Sequence, residues 1–313
     1  MRKQILLITH IAVFMLCACA EDNKTLVNTM NIEEVNIDDE SAALYDAFLQ
    51  GSAKATFDSK GDRGQYITFS DFLNDGEAYT LTEIISKMTG EDQYCSGWIC
   101  KISTDRYIDC GLDGNIEKEV SLELNGGTDH FSTSMILKNI DGKLKICYDA
   151  DSWSRCDAGV AYNGEVSSFG SAGACSHGGE YGYIDSLGDY HFWYYEWIES
   201  YGARDEDNQI NDLDFFINSD TKCIKGADMI YILRYDFLED RKDENAYYYF
   251  YLTDSDYKDI DDNPSNLDNP YNIARGILKK DYGYNVVSQE EIDKMIYEKR
   301  LEIGLTDEIY NNV

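Results

Sequence analysis

The chain has 313 residues, of which 59 are acidic and 27 basic, so its formal net charge at pH 7 is −32. This excess of negative charge excludes nucleic acid as a partner, because phosphate binding needs clustered Lys and Arg. Hydrophobic residues make up 43% and aromatic residues 13%, with two prolines. A disordered chain is therefore excluded as well, and a packed core in one or two domains is expected.

The amino-terminal segment has the build of a secretory signal. Arg2 and Lys3 precede an apolar run over residues 5–16, and a short cysteine-containing stretch ends it. The run is too short to span a bilayer as a permanent helix. We predict a cleaved signal peptide over residues 1–18 and export of the mature protein.

The end of this segment resembles a bacterial lipobox, in which Leu stands three residues before the modified Cys and a small residue stands one before it. Cys19 fits this pattern with Leu16 and Ala18, whereas the bulky Leu16 directly precedes Cys17. The resemblance implies a lipoprotein with a palmitate-type anchor on Cys19, held on the extracytoplasmic face of the cell membrane. Such anchoring needs two or more acyl chains. An ordinary secreted protein without lipid is the alternative.

The mature chain divides into four predicted segments. Removal of the signal changes the net charge from −32 to −34, which repels an anionic lipid surface and favours a body held away from the membrane. The segments are a tether at 19–36, a helix-rich N-terminal cap at 37–90, a β-rich core at 91–255, and an acidic loop with a C-terminal helix at 256–313.

The cap carries two helix signals. The first helix is predicted to begin at Asp38 or Asp39 and to end before Gly51. Thr80 and Glu83 form a capping box that opens the second, which closes at Gly90. Short strands are predicted at Lys54–Phe57 and Gln65–Phe69.

From about Trp98, short segments alternate apolar and polar residues between Asp-Gly or Gly-Asp turns. This pattern predicts strands joined by tight hairpins. Whether they close into a propeller-blade-like or barrel-like form is left open. The predicted strands are Glu119–Leu124, Ser134–Ile140, Leu144–Tyr148, Tyr181–Asp185, Tyr190–Ile198, Met229–Phe237 and Tyr247–Leu252.

The carboxy-terminal part begins with a predicted surface loop at 254–272, which holds both prolines and many Asp and Asn residues. Ser288 and Glu291 form a further capping box, which opens a helix to about Ile303. The expected fold class is therefore α+β: an antiparallel, hairpin-built β region flanked by N-terminal and C-terminal helices.

Seven thiols remain after export if Cys19 carries lipid, and an odd number cannot pair completely. The spacings do not match a zinc knuckle or a redox motif. Cys95 and Cys100 are the nearest pair in sequence and the candidate for a local disulfide. The alternative is that most of these cysteines are small buried apolar residues.

The most specific motif lies at residues 107–124, YIDCGLDGNIEKEVSLEL. Asp109, Asp113 and Glu117 fall at positions one, five and nine of a turn, with Gly114 at the sharp bend. Oxygen ligands arranged in this way suit Ca²⁺. A structural turn, in which Asp side chains bond to their own backbone, is the alternative.

This motif resembles the calcium blade of FG-GAP and integrin-α-like propellers, whose pattern is Asp-x-Asp-x-Asp-Gly-x-x-Asp followed by a hydrophobic strand. Gly111 stands where that family has a carboxylate or amide. The resemblance implies a bound Ca²⁺ at Asp109, Asp113 and Glu117. The wider stretch 105–200, with a predicted Gly/Ser-rich turn, SSFGSAGACSHGGEYGYID, before an aromatic strand, resembles clostridial-type surface lipoproteins, which supports location and architecture only.

Consecutive aromatic residues form two runs, at 192–197 and 247–251. On a strand, neighbouring side chains point to opposite faces, so one face of each run is expected to show its rings. Exposed rings stack on sugars or protein patches. Trp193, Tyr195 and Trp197 are thus candidate ligand-binding residues. The alternative is a sheet covered on both sides.

The sequence thus favours a non-catalytic binding module for a glycan, peptide or envelope partner, with the membrane reached through the N-terminal lipid. The alternative is an extracellular hydrolase of polysaccharide or peptide. That alternative requires a pocket that unites a histidine, such as His177 or His191, or two carboxylates with perturbed pKa values. The acidic clusters at 205–207 and 254–262 are interpreted as solvated loop charge.

Overall fold

The computed structural model describes residues 36–61, 68–91, 93–127, 130–202, 224 and 226–312. Within them lie twelve strands and five α-helices. The strands are β1 (Ala55–Phe57), β2 (Ala78–Tyr79), β3 (Ile99–Ile108), β4 (Glu117–Asn125), β5 (His130–Ile140), β6 (Lys143–Trp153), β7 (Cys156–Val160), β8 (Glu165–Gly173), β9 (Ser176–Ile184), β10 (Tyr190–Gly202), β11 (Met229–Asp236) and β12 (Tyr247–Thr253). The helices are α1 (Asp39–Leu49), α2 (Leu81–Met88), α3 (Pro270–Asp281), α4 (Gln289–Glu302) and α5 (Asp307–Tyr310).

Strands β3 to β12 form one antiparallel meander, in which each strand pairs with the next along the chain. A tight turn joins β5 to β6, and its two central residues have positive φ, 51° at Asp141 and 77° at Gly142, as a two-residue hairpin requires. The α+β class and the hairpin-built sheet are confirmed. Within the described residues β3 and β12 do not pair, so the sheet is open and the barrel-like form considered from the sequence is not formed.

The N-terminal segment is joined to this sheet through β1. This strand pairs in parallel with β6, with Ala55 opposite Leu144, and β2 pairs with β1. Helix α1 begins at Asp38, whose side chain accepts a hydrogen bond from the Ser41 amide, and α2 begins with the predicted capping box. Their apolar faces pack on β4–β6. The buried centre of this layer includes Tyr45, Phe48, Phe57, Phe69, Ile84, Leu122, Leu124, Met135, Leu137 and Ile146.

The turn after β3 is tied to the turn after β7. The Asp109 amide donates to the Tyr162 carbonyl at 2.8 Å, and the Gly111 amide donates to the Asn163 carbonyl at 2.9 Å. Gly164, with φ of 90°, lies so close to Cys110 and to the Ile184 carbonyl that a side chain has no room there. These contacts fix the motif at 107–124 to the middle of the sheet.

The last strands are covered on both faces. Helix α3 packs on the face that includes Ile230, Phe250 and Leu252. Helix α4 packs on the opposite face, through Ile292 and partly buried neighbours, against Leu233 and Tyr235. A strand buried on both faces has a nearly continuous apolar sequence, which explains the run 247–251 and agrees with the covered-sheet alternative for that run.

Helices α3 and α5 were not predicted, and four strands were missed. The predicted loop 254–272 ends inside α3, where Asn269 caps the helix and Pro270 takes its first position. Strand β8 reads EVSSFGSAG and was interpreted as a Gly/Ser turn, but its pairing with β7 and β9 makes it a strand. Strands β2, β3 and β7 were also missed. The other predicted strands of the core overlap β4, β5, β6, β9, β10, β11 and β12.

Some predictions fall on residues that the structure does not describe. They are the signal peptide, Cys19, most of the tether, residues 65–67 of the predicted strand Gln65–Phe69, the acidic cluster at 205–207, and Cys223. Phe69, at the end of that predicted strand, opens a short 3₁₀ turn. Among the described helices, none has the length and apolar character needed to cross a membrane.

The two cysteines proposed as a disulfide are both free thiols in this structure. Cys95 is buried and Cys100 is half-buried. Burial raises the pKa of each thiol to about 11, so both are protonated at neutral pH. Here they act as small apolar residues against the N-terminal helices, which agrees with the alternative interpretation of the cysteines.

Candidate functional site

A cleft of about 710 Å³ lies on one face of β10–β12. Strand β11 sits between its two neighbours, so three rows of alternating side chains form the floor. Residues 241–244 form one wall, and residues 282–284, which follow α3, form another. The cleft is lined by Tyr195, Trp197, Glu199, Ile232, Arg234, Asp236, Arg241, Asp243, Glu244, Tyr248, Tyr282, Gly283 and Tyr284.

The register of the three strands places unlike side chains next to each other on the floor. Tyr195 lies opposite Asp236, and Trp197 lies opposite Arg234, which in turn lies opposite Tyr248. Glu199 lies opposite Ile232. Trp197 is therefore the middle one of the three cleft residues on β10, with a ring, a guanidinium and a carboxylate as neighbours on its own face.

Tyr195 and Trp197 present near-parallel rings, with centroids 6.1 Å apart and planes 14° apart. Both side chains are half-buried. The indole N–H of Trp197 donates to Glu199 Oε1 at 3.3 Å, which fixes the orientation of the ring. The other oxygen of Glu199 accepts the hydroxyl of Tyr201. The result is an oriented aromatic surface with a carboxylate beside it.

Gly178 on β9 leaves space for this indole. It is the cross-strand partner of Trp197, and a Cβ added there would collide with the indole and with the Glu196 carbonyl. We expect Gly178→Ala to displace Trp197 and to lower the free energy of unfolding by about 1–3 kcal/mol, the usual cost of overpacking. Urea denaturation and tryptophan fluorescence measure the two effects.

Gly173→Ala is the matched control for that substitution. Gly173 is the last residue of β8 and lies close to Gly178 in sequence. A Cβ added at Gly173 meets nothing within 4 Å. We expect this variant to keep the stability and the fluorescence spectrum of the parent. Equal behaviour of the two variants would contradict the described packing of Trp197.

One wall is built from arginine–carboxylate pairs. Arg234 binds both oxygens of Asp236, at 2.7 and 3.1 Å, and its third nitrogen binds Asp243 at 2.6 Å. The bonds to Asp236 raise the pKa of the Arg234 guanidinium above its ordinary value. Arg241 lies 4.3 Å from the ring centroid of Tyr195 and pairs with Glu180. Both guanidinium groups are thus held by the protein's own carboxylates.

The other wall is aromatic. Tyr248 and Tyr284 stack with centroids 3.8 Å apart and planes 7° apart. Burial raises the pKa of Tyr284, and likewise that of Tyr195, to about 12. Both hydroxyls are therefore protonated in neutral solution.

The structure separates the three aromatic residues predicted to bind ligand. Tyr195 and Trp197 line the cleft, but Trp193 is 4% exposed and lies on the opposite face, where its indole N–H donates to the Ile296 carbonyl of α4 at 2.8 Å. A register shift between Phe192 and Tyr194 interrupts the alternation of faces. Trp193 is thus a core residue, and strict alternation predicted its position wrongly.

The histidines considered for hydrolysis lie outside the cleft. His177 contacts the Ala174 carbonyl and stacks on Phe169. His191 contacts Asp185 at 2.8 Å. Neither lines the cleft. Of the cleft carboxylates, Asp236 and Asp243 pair with Arg234, and Glu199 accepts hydrogen bonds from Trp197 and Tyr201. The site therefore offers ring faces, hydroxyls and paired charges rather than a histidine-based catalytic group.

The three residues predicted to bind Ca²⁺ surround the turn between β3 and β4. Both oxygens of Asp109 accept from the Gly114 amide, at 3.1 and 3.2 Å. Asp113 accepts from the amide and side chain of Asn115, each at 2.8 Å. In the described part of the chain, no group of three or more His, Cys, Asp or Glu side chains is placed to share a metal ion.

Glu117 is fully buried and already has two partners. It accepts the Cys110 amide at 2.8 Å and pairs with the ammonium of Lys138, which is 7% exposed. Both oxygens of the carboxylate thus already have a partner. These residues, as placed, do not fit a calcium cage, and the contacts favour the structural turn. Calcium binding stays a prediction from the sequence.

The titration of Glu117 has a measurable consequence. Burial raises the pKa of Glu117 from 4.5 to about 7 in the folded protein, so between these two values the folded state binds more protons than the unfolded state. Stability therefore falls as pH rises through this window. We expect Glu117→Gln to flatten that part of the profile of unfolding free energy against pH. An unchanged slope would contradict the burial of an ionisable group here.

Comparison with protein-family models, curated proteins and solved structures gives no match to this chain. The site therefore has to be interpreted from its own geometry. Sequence reasoning identified Tyr195 and Trp197 but missed Glu199, Arg234 and Tyr284, because these lie in separate segments that only the strand register and α3 bring together. The one available signal was the alternation of residues 195, 197 and 199.

Proposed function

We propose that the protein is a non-catalytic carbohydrate-binding module and that the aromatic cleft is its binding site. The observation that carries this proposal is the near-parallel pair of Tyr195 and Trp197 on the floor of the cleft, with Glu199 beside them. The apolar face of a sugar ring packs on an indole, while its hydroxyls need donors and acceptors at the edge. The cleft supplies both.

A peptide is a poorer fit for this cleft. Peptides commonly bind sheets by adding a strand to a free edge. Strands β10 and β11 are paired on both sides. On β12, the edge beside the cleft is already used, because the Tyr248 amide donates to the Asn285 carbonyl at 3.0 Å and the Val287 amide donates to the Tyr248 carbonyl at 2.9 Å. The ring faces are what a ligand meets.

A hydrolase of polysaccharide is the competing interpretation from the sequence. The cleft does contain carboxylates, but Asp236 and Asp243 are bound to Arg234. Glu199 accepts two hydrogen bonds from aromatic side chains. These contacts support binding over bond cleavage.

An array of immobilised oligosaccharides, probed with the purified protein, tests the proposed function. We expect retention on at least one class of glycan and no release of cleaved sugar on prolonged incubation. Release of reducing ends would favour the hydrolase instead. Failure to bind any glycan, together with an unchanged Trp197 environment in their presence, would contradict the proposal.

The location of this module follows from the signal and lipobox pattern. We propose that Cys19 carries a lipid that holds the protein on the extracytoplasmic face of the membrane, as the resemblance to clostridial-type surface lipoproteins implies. Labelling with radioactive palmitate tests this. We expect Cys19→Ala to abolish incorporation and Cys17→Ala, the matched control, to retain it. Loss of label in the Cys17 variant alone would overturn the assignment.

A further inference from the structure

We infer that the cleft selects saccharides that carry a protonated amine, and that Glu199 is the residue that recognises the ammonium group. This inference rests on the proposed function and adds the class of ligand to it. Three observations support the inference: the charge of the cleft, the contacts of its arginines, and the position of Glu199 among aromatic rings.

The cleft has an excess of negative charge. Four carboxylates line it, from Glu199, Asp236, Asp243 and Glu244, against two guanidinium groups, from Arg234 and Arg241. The surrounding chain adds to this potential, with a formal net charge of −32. A concave site lined by one sign of charge concentrates ligands of the opposite sign, so acidic saccharides are disfavoured.

The two arginines of the cleft are not available to bind an acidic sugar. An acidic sugar would need a guanidinium open to receive its carboxylate or sulfate. Arg234 already binds Asp236 through two nitrogens and Asp243 through a third. Arg241 binds Glu180, and its guanidinium lies against the ring of Tyr195. Recruiting Arg234 would take the guanidinium away from Asp236 and Asp243.

Glu199 is placed to receive an ammonium group. Its two oxygens accept one hydrogen bond each, from Trp197 and Tyr201, and a carboxylate has about four acceptor positions. Its cross-strand neighbour on the floor is the apolar Ile232. A charge pair beside apolar and aromatic surface is screened less by water than one in open solvent.

The rings of this sheet also tolerate cations. The guanidinium of Arg241 lies 4.3 Å from the centroid of Tyr195, and that of Arg275 lies 5.8 Å from the centroid of Phe250. A cation at a ring face is attracted by the quadrupole of the ring. A sugar stacked on Trp197 therefore binds more tightly when it carries a protonated amine at its edge, next to Glu199. A neutral sugar lacks this contribution to its affinity.

Calorimetric titration with a short oligomer of glucosamine, and with its N-acetylated counterpart, tests this inference. The two share a backbone and differ in charge at about pH 6, where a sugar amine is protonated. We expect the amine form to bind about fivefold more tightly at low salt, as for a solvent-accessible charge pair, and the difference to shrink as salt is added.

Two variants locate the effect. Glu199→Gln should remove the preference and retain binding of the acetylated oligomer. Glu290→Gln, an exposed position on α4 and on the opposite face of the sheet, should keep the preference. Equal or tighter binding of the acetylated form by the parent, or a preference that survives in Glu199→Gln, would overturn the inference.

The same titrations separate this inference from the proposed function. Binding of an unsubstituted glucose oligomer, with no gain for the amine form, would leave a carbohydrate site and remove the selectivity. Binding of a lysine-rich peptide in place of every saccharide would remove both.

Discussion

Replacing Lys138 with methionine is expected to lower the free energy of unfolding by about 3–5 kcal/mol at about pH 8, where Glu117 is ionised. Glu117 is fully buried and Lys138 is 7% exposed. Methionine keeps most of the aliphatic packing of the lysine but removes the ammonium group. The substitution therefore leaves a buried carboxylate without its charge partner, which costs more than the ion pair itself contributes.

The pH dependence of this loss of stability shows whether the unpaired charge of Glu117 causes it. Without Lys138, the pKa of Glu117 rises further, because the ammonium group is what opposes the effect of burial. The carboxyl is then neutral at about pH 5, so the variant should be less destabilised there than at about pH 8. Urea denaturation at the two values measures the difference.

A double variant is the matched control. Glu117→Gln in the Lys138→Met background removes the charge and keeps a carbonyl oxygen for the Cys110 amide, which Glu117 accepts at 2.8 Å. We expect it to recover most of the lost stability at about pH 8. If the double variant is as unstable as the single one at both pH values, lost packing rather than an unpaired charge is responsible.

Replacing Trp197 with alanine is expected to weaken binding of any bound oligosaccharide at least about tenfold, or about 1.4 kcal/mol. The indole lies on the cleft floor and is the ring on which we place the sugar. Truncation to alanine removes the stacking surface and the N–H that orients Glu199. Trp197→Phe, which keeps a ring, should lose less affinity.

The control for this substitution is Trp153→Ala. Trp153 is 38% exposed, ends β6 and lies outside the cleft, so the same chemical change is made at a distance from the site. We expect parental affinity in this variant. Thermal melting of each variant shows whether the fold is intact. A folded Trp197→Ala variant with parental affinity would show that the sugar stacks elsewhere.

The sequence predicted helix ends and hairpin turns well where neighbouring residues determine them. The capping boxes at Thr80 and Ser288 each contain the partners that satisfy a helix end, so two residues three positions apart suffice to identify it. The Asp141-Gly142 turn is similar, because its positive φ values restrict the residue types. Helix α3 was missed because its cap, Asn269 and Pro270, closely resembles the end of the polar loop before it.

The candidate site could be predicted only in part, since it depends on long-range register. Alternation on one strand identified Tyr195 and Trp197. The shift between Phe192 and Tyr194 moved Trp193 to the other face, and no local pattern signals such a bulge. The partner of Glu117 was also hidden, because Lys138 lies 21 residues further along and meets it only through the pairing of β4 with β5.

Nuclear magnetic resonance of the indole N–H groups tests the carbohydrate cleft most directly. The chain has four tryptophans, at positions 98, 153, 193 and 197, and tryptophan-to-phenylalanine variants assign their signals. On titration with an oligosaccharide retained on the array, we expect a shift of the Trp197 signal with those of Trp98 and Trp153 unchanged. Binding that leaves the Trp197 signal in place would show that the sugar does not bind in this cleft.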